Sequence, residues 1–110
     1  MGDDRVFGNI ATKLLMENDR VRIWEMRLDP GQSSDLHRHE NDYIMIQLGG
    51  DKIAADFEPD SKDPFGGAEI KHVEGDVVPG NVLWADRGGI ETAVNIGNEQ
   101  FYEIVVELKD

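Results

Sequence analysis

Short strand-like runs, each ended by a turn rich in glycine, proline or aspartate, recur along almost the whole chain. That rhythm is the strongest constraint on its fold. We read strands at Val21–Leu28, stopped by Asp29-Pro30-Gly31, and at 43–48, stopped by Gly49-Gly50-Asp51, with Lys52–Phe57 as hairpin partner. A polar loop over 58–67 precedes a strand over 68–73, and Gly75-Asp76 reads as the next turn. Short strands at 77–78 and 82–84 flank Pro79-Gly80, the turn Arg87-Gly88-Gly89 leads into 90–96, and the last strand is Phe101–Leu108. In that last run Tyr102, Ile104, Val106 and Leu108 share one parity, and Phe101, Glu103, Val105 and Glu107 the other. The stretch 11–17 is too short for a stable helix and reads as a first strand. Strands at intervals of roughly 8 to 12 residues predict an all-β sandwich or barrel.

A chain of 110 residues is expected to make one domain, residues 1–110. It has no cysteine, which excludes disulfides, thiolate zinc, iron–sulfur clusters and a cysteine nucleophile, and fits a reducing cytoplasm. With 11 basic and 23 acidic residues its net charge is -12, so it repels nucleic-acid backbones and anionic membranes. The N-terminus lacks the basic-then-apolar pattern of a signal peptide, and no run approaches the roughly 18 apolar residues of a membrane span. We expect a cytoplasmic protein that takes a small molecule, not nucleic acid or membrane.

Two of the three histidines, His37 and His39, are separated by Arg38 alone. On a strand, residues two apart project from one face, so both imidazoles would converge as the ligands of a transition metal must. Arg38 points the other way by the same alternation.

Two spacings in this chain resemble the cupin family. The first family motif is glycine, five residues, His-x-His, three or four residues, glutamate, six residues, glycine. Gly31, His37, His39, Tyr43 and Gly50 stand at those intervals, with tyrosine in place of the glutamate. The second motif is glycine, five residues, Pro-x-Gly, two residues, histidine, three residues, asparagine. Gly80, Asp86, Gly88, Glu91 and Asn95 fit it, with Asp86 for the proline and Glu91 for the histidine. The motifs cover about 31–50 and about 80–95. The resemblance implies a double-stranded β-helix, or jelly roll, with a metal inside one open end.

Carried over by position, the resemblance implies His37, His39 and Glu91 as metal ligands, Glu91 facing the first motif across the barrel. Two imidazoles and a carboxylate suit Fe, Mn, Ni or Zn as divalent ions. Tyr43 is then either a proton donor beside the metal or a packed phenol with a local hydrogen bond. Met45 and Gln47 share its parity and could line the pocket; Trp84 could form a wall, and Asn95 could orient Glu91 or hold a turn. His72 fits neither motif, Glu40 and Asp42 read as solvated charge at the mouth, and Arg27 and Arg87 are the candidate anchors for an anionic substrate.

The implied function is a small metalloenzyme acting on a small polar metabolite, with oxygenase, lyase and isomerase chemistry all compatible. Its rivals are a non-catalytic ligand-binding module and a metal-free isomerase-like enzyme with a histidine base. The family's habit of pairing predicts a homodimer, with Val21–Leu28 and Phe101–Leu108 as candidate edge strands.

Overall fold

The computed structural model describes residues 4–66 and 71–110, and among these there is no helix. The strands are β1 (Lys13–Glu17), β2 (Val21–Leu28), β3 (His37–Arg38), β4 (Asp42–Gly49), β5 (Lys52–Phe57), β6 (His72–Asp76), β7 (Val82–Ala85), β8 (Ile90–Val94) and β9 (Phe101–Leu108). They form a five-stranded sheet in the order β1-β2-β9-β4-β7 and a four-stranded sheet in the order β3-β8-β5-β6. Every pairing is antiparallel, as expected for a jelly roll.

The core is built by alternation. Trp24, Met26 and Leu28 of β2, Tyr43 of β4, Ala85 of β7, and Phe101 and Val105 of β9 turn inward and are buried together. Each fully buried large apolar side chain contributes roughly 2 kcal/mol. Gly50, at the end of the first motif, has φ of 118°, and a side chain there would begin 3.1 Å from Phe101 Cα. Only glycine fits that backbone and that gap.

Three sequence expectations are corrected. The proposed edge strands β2 and β9 lie inside the five-stranded sheet, whose edges are β1 and β7. β9 pairs along its length with both β2 and β4, because an eight-residue strand can satisfy a ladder on each side. Second, Gly75-Asp76 is no turn: Gly75 pairs with Ile53 and Asp76 with Lys52, extending β6 to the end of β5. Of the strand expected over 68–73, residues 68–70 lie outside the described residues, and β6 begins at His72. Third, Val77 and Val78 form a connection; Val77 N donates to Asp51 O at 2.8 Å and Val78 N to Gln47 Oε1 at 3.1 Å.

Candidate metal centre

The two sheets enclose a cavity of about 340 Å³. His37 lies on β3 and Glu91 on β8, directly opposite each other in the antiparallel register. Glu91 is therefore the neighbour of the first motif within one sheet, not across the barrel as expected. Tyr43 is what reaches in from the other sheet, on β4. His39 follows β3 and is held by reciprocal backbone hydrogen bonds with Gly88 and Gly89, each 2.8 Å, so the ladder continues past the strand.

His37, His39 and Glu91 bring their ligand-capable atoms within 4.8 Å of one another. Glu91 Oε1 is 2.9 Å from His39 Nε2 and 3.5 Å from His37 Nε2. Two atoms bound at right angles to one ion at ~2.1 Å sit ~3.0 Å apart, so these separations suit a shared cation. His37 Nδ1 is 2.7 Å from the Asp35 carbonyl oxygen. A carbonyl only accepts, so Nδ1 carries a proton and Nε2 is the nitrogen turned toward Glu91, the arrangement that orients metal-ligating histidines. Arg38 turns away and lies over the Phe7 ring at 4.7 Å.

The electrostatics agree with the geometry. Burial holds the His39 pKa below its ordinary value, against the opposing pull of Glu91, so the ring is neutral near pH 7. Burial pushes the Glu91 carboxyl up, but its contacts with His37 and His39 outweigh that and hold it below the ordinary range. His39 Nδ1 is buried with no hydrogen-bond partner. With the His37 ring beside them, a neutral His39 imidazole and an ionised Glu91 carboxylate make a donor set that fits a divalent transition metal.

Tyr43 stacks on His39 with ring centroids 3.9 Å apart and planes within 12°. Burial, then the charges of Glu91 and Glu103, hold its phenol well above the ordinary value, so it is a neutral hydroxyl. Met45 and Gln47 line the cavity. Trp84 does not; it is 52% exposed and its Nε1 donates to Asp86 Oδ1 at 2.9 Å, because the parity of β7 that turns Ala85 inward turns Trp84 out. Asn95 is buried outside the cavity lining and holds a turn: Nδ2 donates to Leu28 O and Glu99 O, both at 2.8 Å, and Oδ1 accepts from Gly97 N.

Other candidates lie outside the cavity. Arg87 pairs with Asp42 and Asp110, and Arg27 lies over Tyr102 at 3.7 Å, so neither anchors a substrate there. Exposed His72 bridges Asp56 of β5 and Glu74 of its own strand, β6. Sequence reasoning did not single out Glu103. It lies inward on β9, is 6% exposed, lines the cavity, and has no hydrogen-bond or ion-pair partner among the described residues. Burial pushes its carboxyl up to about 8, with the charge of Glu91 adding to the effect. The available signal was its shared parity with Phe101.

No protein-family model matches the chain, and no curated protein matches it. Solved structures do. The chain is similar to a cupin domain from Bordetella pertussis Tohama I, at 19% identity and TM-score 0.72, over 94% of this chain and 100% of that one. It is similar to an RmlC-like cupin with a double-stranded β-helix fold from Methanocaldococcus jannaschii, at 14% identity and TM-score 0.68, over 99% and 87%. It is also similar to a polyketide cyclase from Streptomyces resistomycificus, at 20% identity and TM-score 0.56, over 84% of this chain and 57% of that one. At these identities the likeness establishes the fold: the chain is a double-stranded β-helix of the cupin type.

Proposed function

We propose that this cupin-fold chain is a metalloprotein that binds a divalent transition metal through His37, His39 and Glu91 and acts on a small molecule in the cavity beside it. One observation carries the reading. Ligand-capable nitrogens of two buried imidazoles, His37 and His39, lie with a Glu91 carboxylate oxygen within 4.8 Å of one another, at a cavity. Two imidazoles and a carboxylate converging in this way are the donor set that a divalent transition metal takes. When bound, such an ion supplies a Lewis acid or a redox centre. The chain's own residues do the rest. The Asp35 carbonyl sets the His37 tautomer, the Tyr43 ring fixes the plane of His39, and the neutral Tyr43 hydroxyl is a proton donor for bound substrate.

The decisive measurement is elemental analysis of tag-free protein. We expect about one equivalent of a first-row metal, lost in His37→Ala while the strand signature in circular dichroism stays. Metal well below one equivalent, or unchanged in the variant, overturns the proposal.

We further propose that the chain pairs with a second copy of itself through the outer face of the five-stranded sheet. In support, Met16, Ile23, Val106, Ile44 and Trp84 form one cross-strand row over all five strands, none of them fully buried. An apolar band of this kind is ordinarily covered. Light scattering at micromolar concentration should give twice the chain mass, and Trp84→Glu should return it to the single-chain mass. A wild-type monomer would overturn the pairing.

A further inference from the structure

Most walls of the cavity are apolar: Ile10, Met26, Ile53, Phe57, Leu83 and Phe101 are among them. Its charged lining, apart from the metal triad, is Glu74, Asp76 and Glu103, and no Lys or Arg lines it among the described residues. A sugar phosphate or carboxylate ligand would meet no counter-charge away from the metal. Glu103 is the most telling of the three acids, because it is buried and its carboxyl has no protein partner. Its register neighbours are Met26 on β2 and Gln47 on β4. Met26 offers no hydrogen bond, and Gln47, whose Oε1 accepts from Val78 N, makes none with Glu103. The Glu103 carboxyl, unpaired by protein, is open to the cavity, where an entering group can pair with it.

We propose that Glu103 is a ligand-recognition residue, and that the ligand is a small amine whose ammonium group pairs with the Glu103 carboxylate while its apolar body packs against the cavity walls. The inference rests on the cavity being the ligand site of the metalloprotein described above, and it replaces the small polar metabolite as substrate class. Burial and the charge of Glu91 push the carboxyl up, and an ammonium ion beside it would offset both by favouring the ionised form. The rings of Tyr43, Phe57 and Phe101 line the same space and favour a cation over an anion. A volume of about 340 Å³ accepts a single-ring amine.

The test is calorimetric titration of the full chain with benzylamine, benzyl alcohol and benzoate, which share one apolar body and differ in charge. Each titration is run as purified and after chelation, with metal content measured in the same samples. We expect benzylamine to bind roughly tenfold or more tighter than the other two in both samples, the gain of a charge-assisted hydrogen bond. Glu103→Gln should abolish that preference, with Glu103→Met as a second variant of similar size. Benzoate binding as tightly as benzylamine, a preference that survives both variants, or no binding by any probe overturns the inference. Should both variants fail to fold, the wild-type ranking decides alone. An amine preference in protein that holds no metal overturns the metal reading only, and bound metal without the preference overturns this inference only.

Discussion

Glu103 and Glu107 lie on the same inward face of β9, yet they sit in opposite surroundings. Glu107 accepts from Trp24 Nε1 at 2.7 Å and from Arg22 Nε at 2.5 Å, with Asn41 Nδ2 at 3.4 Å. Burial pushes its carboxyl up, but these donors outweigh burial and hold it below the ordinary value. Glu103 has none of them, and burial pushes it up to about 8. One strand carries both residues inward by alternation alone. What separates them is what β2 delivers alongside: Arg22 and Trp24 at one end, Met26 at the other. The contrast teaches that a buried acid is structural where the fold supplies donors, and available to a ligand where it does not.

The largest test of this contrast is Glu107→Ala, which strands the Trp24 indole N–H in the core. We expect a loss of about 3 kcal/mol in urea unfolding; Arg22 is one-third exposed and adds little of it. A loss under about 1 kcal/mol would make the two glutamates equivalent.

Next in size is Glu103→Gln in chelated protein. The folded carboxyl holds its proton until about pH 8, whereas the unfolded one releases it near 4.5. Between those values the unfolded chain binds fewer protons, so wild-type stability falls as pH rises across the window and levels off above it. The variant should therefore be more stable than wild type by on the order of 1–2 kcal/mol at pH 8, with the gap closing by pH 5. Glu107 has the reverse sign. Its lowered pKa gives stability that is present above the ordinary carboxylate value and lost as pH falls through the folded one. Parallel pH slopes for Glu103→Gln and Glu107→Gln would erase the distinction.

The smallest effect is expected from Arg22→Lys. It keeps the charge but loses the two-pronged contact through Nε and Nη2, at a cost of about 0.5 kcal/mol with no change in metal content. A metal loss in this variant would couple the two ends of the strand.

Much of the fold was legible because turn chemistry is local. The ends of β5 and β9 follow from Gly49-Gly50-Asp51 and Gly97-Asn98-Glu99, and β2 ends at Asp29-Pro30-Gly31. The convergence of His37 and His39 was legible from strand alternation, and Glu91 from its spacing within a resemblance. Glu103 was not legible as a site residue. On β9 the alternate parity holds Tyr102, Ile104, Val106 and Leu108, so hydropathy gives no reason to place Glu103 and Glu107 inside. Trp84 shows the converse, a large aromatic turned outward.

From the sequence alone follow the all-β class, most strand positions and the pairing of two imidazoles on one face, since each depends on neighbours within a few residues. The tertiary structure decided which face of β9 is buried, that Glu91 sits beside His37 in the same sheet, and which of two buried acids finds donors. Those outcomes depend on groups brought together from strands distant in the chain, and the chain's local pattern carries no record of what will lie across the core.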